Sequence, residues 1–302
     1  MTIEWHKDIL EWREGETTYI SIVFSWHLPQ AKRRILNPCF GEKRFVVGGP
    51  AVKLNPDYLA DIAEIGDDIP GMLQRHNPLA TRTSEGCIRK CKFCAVPRIE
   101  GPLRELKDWP LLPIICDNNL LACSRKHFNA VIDGLKQLDW CDFNQGLDAR
   151  LLTCHHADRL AELKNPKIRL AWDNTKNESE FMGAFEKLRA VGIAKKNIQC
   201  YVLMGYMDTP EDALYRLSTI KALGIMPNPM RFQPLDSEKK NIYVGRNWTH
   251  KELIRYQRYW SNLRYLRGVP FNEFEIDDET RKMAMFAEEK IVISYQLSEW
   301  LE

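Results

Sequence analysis

The stretch that most constrains this chain is Gly86-Cys87-Ile88-Arg89-Lys90-Cys91-Lys92-Phe93-Cys94. Its three cysteines have C-x3-C-x2-C spacing within one tight loop, with an aromatic residue immediately before the third. Thiolates are soft ligands, and three on one loop can hold three irons of a [4Fe–4S] cube. The fourth iron then lacks a ligand, because no further cysteine is close in sequence. An open iron can take a small chelating molecule, as open metal positions do in catalytic sites. Structural zinc needs a second Cys or His pair about twelve to twenty residues on. His127 and the Cys116/Cys123 pair have the wrong spacing for that role. The spacing therefore points to a cluster held by Cys87, Cys91 and Cys94, with structural zinc or unligated thiols as the alternatives.

With Phe93 placed before Cys94, this spacing resembles the signature of the radical S-adenosylmethionine (SAM) superfamily. The resemblance implies that SAM chelates the open iron through its amino and carboxylate groups, with Phe93 near the adenine. It further implies reductive cleavage of SAM to a 5′-deoxyadenosyl radical that abstracts hydrogen from a substrate. The chain would then be an enzyme dependent on a one-electron reductant such as a flavodoxin or ferredoxin.

The expected fold class is α/β: a (β/α)6 partial barrel with a small N-terminal α/β layer and a C-terminal helical segment. Strand candidates at 80–85, 112–116, 140–145, 167–172, 198–204 and 228–234 alternate with helices at 125–138, 153–164, 177–192, 210–223 and 249–267. A short helix is expected near 103–107. Alternation of this kind argues a parallel sheet with crossover helices. Six strands are what a radical SAM core requires, and the cysteine loop follows the first of them, where strand C-terminal ends build active sites. The core is placed at 79–236.

Residues 1–78 read as the N-terminal layer. Strands are expected at 18–24 and 44–47, with a helix at 27–36 between them. A turn at Gly48-Gly49-Pro50 follows, and Asn55-Pro56 opens a helix over 55–65. Strand, Gly-Gly-Pro and helix together look like the later half of the cobalamin-binding domain that precedes many radical SAM cores. The layer is truncated, and the Asp-x-His-x-x-Gly motif that supplies cobalt's lower ligand is missing, so no cobalamin is expected.

In the radical SAM family, SAM is held by polar motifs at successive strand ends. The resemblance gives the ammonium to Asp117, Asn118 and Asn119, with an Asx turn as their ordinary alternative. Gln145 and Arg150 follow the third strand; Arg150 can fork onto the SAM carboxylate or simply pair with Asp148. Asp173 and Asn174 can bond the ribose hydroxyls or cap the next helix. Gly205, in Gly205-Tyr206-Met207-Asp208-Thr209-Pro210-Glu211-Asp212, looks like the family's adenine-edge glycine, and the same run is a good helix start. Arg231 and Gln233 share one face of the last strand and are expected to contact cofactor or substrate. Cys116, Cys123 and Cys154 fall near the same end, but no clustered motif makes them an auxiliary cluster.

Residues 237–302 form the C-terminal extension. Arg246, Lys251, Arg255, Arg258, Arg264 and Arg267 interleave with Trp248, Tyr256, Tyr259, Trp260 and Tyr265. Cations between aromatic platforms suit a polynucleotide strand. The ordinary alternative is a flank helix with Leu253, Tyr256, Trp260 and Leu263 facing inward. After Phe271 the chain turns acidic at Glu273, Glu275, Asp277, Asp278 and Glu279. A nucleobase, nucleoside or nucleic acid is the favoured substrate. A peptide or small metabolite is the competitor, and a non-catalytic cluster or zinc protein that binds nucleic acid is the rival class. Lys+Arg 43 against Asp+Glu 41 gives a net charge of +2, so no global field demands a polyanion. The opening Met1-Thr2-Ile3-Glu4-Trp5 has no signal-peptide character, and no apolar run is long enough to span a membrane. Nine cysteines without a disulfide framework suit a reducing, cytoplasmic setting.

Overall fold

The β-branched and aromatic run beginning at Thr17 buries alternate residues, and an N-terminal sheet forms around it. The computed structural model describes Trp5, residues 9–66 and residues 71–276. β1 (Ile9–Glu14) and β2 (Thr17–Ile22) make an antiparallel hairpin. α1 (Leu28–Leu36), β3 (Arg44–Gly48), α2 (Pro50–Leu54) and β4 (Glu64–Ile65) complete a sheet of order β1-β2-β3-β4, its last three strands parallel. Ile20, Ile22, Leu28, Ala31 and Val47 form its core.

The helix expected over 55–65 does not form. Asn55 ends α2 instead of opening a new helix, and its Nδ2 donates to Ala51 O and Ser25 Oγ, both at 3.1 Å. A residue before proline is pushed out of helical geometry, and Asn55 sits at φ −134° and ψ 65°. Only a 3-10 turn, Pro56–Tyr58, follows before β4.

After α3 (Met72–His76), β5 (Ala80–Thr81) starts the main sheet. β6 (Ser84–Glu85) leads into the cysteine loop and α4 (Val96–Ile99). β7 (Arg104–Glu105) then returns antiparallel to β6, where a short helix was expected near 103–107. The rhythm continues through β8 (Ile114–Ile115), α5 (Arg125–Leu135), β9 (Cys141–Phe143), α6 (Cys154–Ala161) and β10 (Pro166–Ala171). It closes with α7 (Glu178–Ala190), β11 (Ile198–Met204), α8 (Pro210–Ala222), β12 (Met226–Arg231) and α9 (His250–Ser261).

These strands form a six-stranded sheet of order β12-β11-β10-β9-β8-β5, every neighbouring pair parallel. With the strands in sequential order, the connecting helices pack on one face. There Phe143, Ile168, Leu170, Val202 and Met204 pack with Phe128, Leu160, Phe181 and Leu217 in one core. The opposite face carries polar groups at alternate positions. Arg169 forks onto Asp142 at 2.8 and 2.6 Å and donates to the Tyr201 hydroxyl at 2.8 Å. Among the described residues, no helix is long and apolar enough to cross a membrane.

α9 stops at Ser261, short of the expected 267, because Leu263 takes a left-handed conformation at φ 52°. Trp248, Leu253, Tyr256, Tyr259 and Trp260 belong to the main core, so four of the five rings expected to offer stacking platforms are buried, and Tyr265 is half-buried against that core. Arg255 bonds the carbonyls of Phe271 and Phe274. This segment is the inward-facing flank helix. The expected acidic positions Asp277, Asp278 and Glu279, and the rest of the extension to residue 302, lie outside the described residues.

Candidate active site

The cysteine loop closes on itself at its base. Gly86 N donates to Glu100 Oε2 at 2.9 Å, and Cys87 N to Gly101 O at 3.2 Å. Glu100 also receives Arg82 Nη1 at 2.9 Å and the Asn118 side-chain amide. One largely buried carboxylate thus joins both ends of the loop to the end of β8. Gly86 sits at φ +72°, and a Cβ there would lie 2.2 Å from Pro102 O, so only glycine fits the closure.

So closed, the loop turns Cys87, Cys91 and Cys94 toward a cavity of about 670 Å³ at the C-terminal ends of the parallel strands. That volume lies in the range of small-ligand sites. Burial raises the Cys91 thiol, with Arg150 pulling it back and Cys87 adding to the rise. Burial also raises Cys94, and Cys91 and Cys87 add to it. The three sulfurs therefore feel one another across the same wall.

Of the expected cofactor residues, Phe93, Asn118, Asn119, Gln145, Arg150, Asp173 and Asn174 line this cavity. Asn119 is 2% exposed, and its Nδ2 lies 3.6 Å from Cys87 Sγ and 3.4 Å from Asp148 Oδ2. Its Oδ1 is buried with no partner among the described residues. Arg150 forks onto Asp148 at 2.7 and 3.0 Å, while Arg89, inside the cysteine loop, reaches the same carboxylate at 3.1 Å. Burial pushes Asp148 up, but the Arg150 and Arg89 contacts outweigh it and hold the carboxyl below its ordinary range. Burial raises Asp173, whose Oδ1 accepts from Leu203 N at 3.2 Å. Asn174 caps the short turn before α7 through Lys176 N at 2.8 Å, while the N-cap position of α7 itself falls to Asn177.

Four expected residues are put to other uses. Asp117 points back under the first strand, accepting from Thr83 N at 2.7 Å, Thr83 Oγ1 at 2.5 Å and Ser84 Oγ at 2.7 Å. Both its oxygens are occupied, and burial raises its carboxyl despite those donors. The register that sets Thr81 beside Ile115 also sets Thr83 beside Asp117. Arg231 and Gln233 do share a face, but it is not the face of the cavity wall. Register pairs Met204 with Arg231, whereas the cavity wall carries Leu203, whose partner is Met230. Arg231 instead bonds the carbonyls of Asn241 and Tyr243 at 2.8 and 3.0 Å, and Gln233 pairs with the Asn241 side chain at 2.8 Å. At Gly205 the open side is taken by Leu253, whose Cδ2 would lie 2.7 Å from a Cβ.

Sequence reading missed Glu100 and a buried ion pair under the cavity. Arg216 is fully buried and donates to Asp208 Oδ2 at 2.6 Å, and to the carbonyls of Trp172 and Leu203 at 2.9 and 2.8 Å. Asp208 also accepts from Gly205 N at 2.9 Å and Trp248 Nε1 at 3.1 Å. The only sequence signal was an acid in the turn before the well-capped α8.

The remaining thiols are unlike those of the loop. Burial pushes Cys116 and Cys141 up to about 12 and Cys123 up to about 11, values of inert buried cysteines. Cys154 is exposed. Among the described residues no group of three or more His, Cys, Asp or Glu side chains is arranged to hold a metal ion. No family model matches this chain, and no curated protein matches it.

Proposed function

We propose that this chain is a radical SAM enzyme built on a partial (β/α)6 barrel, with Cys87, Cys91 and Cys94 as ligands of a [4Fe–4S] cluster. The observation that carries the reading is the set of three thiols on one loop, lining one cavity at the C-terminal ends of a sequentially ordered parallel sheet. Each cysteine thiolate that holds such a cube would bind a different iron. Three thiols that line one cavity without converging on a single metal position suit a cluster's separate irons better than one zinc ion, which draws its ligands to one point. Together with SAM, such a cluster supplies one-electron cleavage of the sulfonium carbon–sulfur bond and hydrogen abstraction from substrate.

The chain's own residues divide the remaining work. Glu100 closes the loop so that the thiols face inward. Asn119 presents an unpartnered buried carbonyl oxygen, an acceptor suited to an ammonium group. Arg150 can turn one N–H from Asp148 to a carboxylate, because its guanidinium carries five donors. Asp173 and Asn174 line the same cavity, as hydroxyl partners would. Phe93 gives a ring on the cysteine loop itself. Metal uptake requires the thiols to ionise and so releases protons.

Anaerobic reconstitution followed by iron analysis tests the reading. About four irons per chain are expected, with none in the combined Cys87→Ala, Cys91→Ala, Cys94→Ala variant. Dithionite-reduced protein should form 5′-deoxyadenosine from SAM. A triple variant with a full iron complement, or a loaded wild type that binds no SAM by calorimetry, would overturn it.

A further inference from the structure

The cofactor reading uses the cysteine side of the cavity and its polar wall, and leaves an aromatic rim without a task. Tyr206 lines the cavity and stands edge-on to Phe93, centroids 5.7 Å apart at 72°. From Tyr206 the rings continue to Phe232 at 4.7 Å and from there to Tyr243 at 4.9 Å. Strand alternation explains the line. Leu203 is in the cavity wall, Met230 is its register partner, and Phe232 falls two residues on, on the same face.

All four rings are only partly buried, and beside them Met207 is 68% and Met230 50% exposed. An apolar patch that opens from a polar cavity marks a ligand surface more often than a packing defect. Core packing does not require it, since the main core lies on the other face of the sheet. The polar cavity, which Tyr206 lines, therefore adjoins an aromatic rim that Phe232 extends. Asn119, Arg150 and Asp173 suit a charged, hydroxylated ligand, and the Tyr206–Phe232 rim suits a flat apolar one.

We propose, resting on the cofactor reading above, that Tyr206 and Phe232 form the substrate subsite and that it takes a planar heteroaromatic ring of the nucleobase class. Ring faces reward a flat π surface over an aliphatic chain, because stacking adds to simple burial. Thioethers such as Met207 and Met230 make favourable contacts with aromatic edges. Tyrosine hydroxyls at the ring edges, on Tyr206 and Tyr243, offer the donor and acceptor that ring nitrogens and exocyclic groups need. Contact between Tyr206 and Phe93 places a ring on this rim next to the cysteine loop, where hydrogen abstraction would occur.

Binding of 2-aminopurine ribonucleoside, followed by its fluorescence, tests this on the anaerobically reconstituted full chain. SAM is kept saturating so that the cofactor's own adenine position is filled. Saturable binding is expected, weakened about five- to hundredfold in Tyr206→Leu and in Phe232→Leu, which keep apolar bulk but lose the π face. Tyr206→Phe should retain most of the affinity. It also guards against a folding failure in the leucine variants, because ribose 5-phosphate, which lacks the ring, should not compete in it. Absence of saturable binding, binding unchanged in Tyr206→Leu, or binding seen only when SAM is left out overturns the subsite. The two readings fail separately. 5′-Deoxyadenosine formed by a protein that binds no nucleoside refutes the subsite alone. Ring-dependent nucleoside binding by a protein that takes up no iron supports the subsite and refutes the cofactor reading.

Discussion

Replacing Gly86 with alanine tests how the cysteine loop is built. At φ +72° an L side chain costs about 1–2 kcal/mol. The new Cβ would also meet Pro102 O at 2.2 Å, Pro102 C at 2.6 Å and Gly101 O at 2.7 Å. These are backbone atoms and cannot rotate away, so the Gly101-Pro102 segment must move. Moving it breaks the Cys87 N to Gly101 O bond and the Gly86 N to Glu100 carboxylate bond. A neutral bond contributes about 0.5–1.5 kcal/mol and one to a charged group about 1.5–3. The sum is about 3–6.5 kcal/mol. Gly101→Ala is the matched control, because Gly101 has φ +74° but nothing within 4 Å of a Cβ, which leaves the conformational cost alone. Urea midpoints and iron uptake of the two variants decide the matter. Gly101→Ala should lose about 1–2 kcal/mol and keep its iron, while Gly86→Ala loses several times more and most of its iron. Equal losses in both would refute the argument that loop closure against Pro102 positions the thiols.

Two further outcomes follow from the charge pairs. Arg216→Met leaves Asp208 buried without its cation and should cost about 3–5 kcal/mol in denaturant unfolding; a loss under about 1 kcal/mol would mean that water reaches the site. Glu42 is held at about 2, below its ordinary 4.5, chiefly by the Arg34 guanidinium at 2.5 Å. A depressed carboxyl contributes stability above its unfolded value and loses it as pH falls from about 4.5 to about 2. The stability gap between wild type and Glu42→Gln should therefore shrink across that window, and a gap constant down to pH 2 would refute the assignment.

How far the sequence could be read depended on what each signal encodes. β11 and α8 were legible because Ile198, Cys200, Val202 and Met204 alternate and because Thr209-Pro210-Glu211-Asp212 is a self-contained cap. The cysteine loop's place was legible only coarsely, because the strand expected over 80–85 divides into β5 and β6, and β6, paired with β7 outside the main sheet, leads into the loop. Side-chain direction at strand ends was not. Asp117, Asn118 and Asn119 are consecutive polar residues, yet Asp117 turns under the strand and the two asparagines face the cavity. Arg231 and Gln233 show the matching ambiguity: alternation puts them on one face without saying which face the cavity uses. In α9, cations and rings at helical spacing fit a nucleic-acid surface or a buried flank equally well, and only the packing of Tyr256 and Trp260 against the core separates them. Glu100 carried no signal, because its partners Gly86 and Asn118 meet it only after the loop has closed.

The same closure gives the N-terminal layer a mechanical part. The six-stranded sheet has free edges at β5 and β12, and unpaired parallel edges invite association unless they are covered. The layer reaches both sides. Toward β5, α2 packs on α4, and Leu73 and Leu79 cover Ala80 and Ile114. Beyond β12, Ser25 Oγ donates to Leu235 O, the Tyr58 hydroxyl meets Glu238 Oε2 at 3.1 Å, and Lys240 stands 5.6 Å over the Trp26 ring. The segment so gripped, 235–243, also carries Tyr243 and the carbonyls that hold Arg231. Ser25 is 3% exposed, so Ser25→Ala removes a buried donor and should cost about 1 kcal/mol. The informative readout is local. Amide exchange within 235–243 should speed up by roughly fivefold for that energy, if this segment opens independently of the core. Exchange in β11 should not change. Acceleration spread evenly over both would show that Ser25 supports the whole fold, and no acceleration would show that the layer does not anchor the rim.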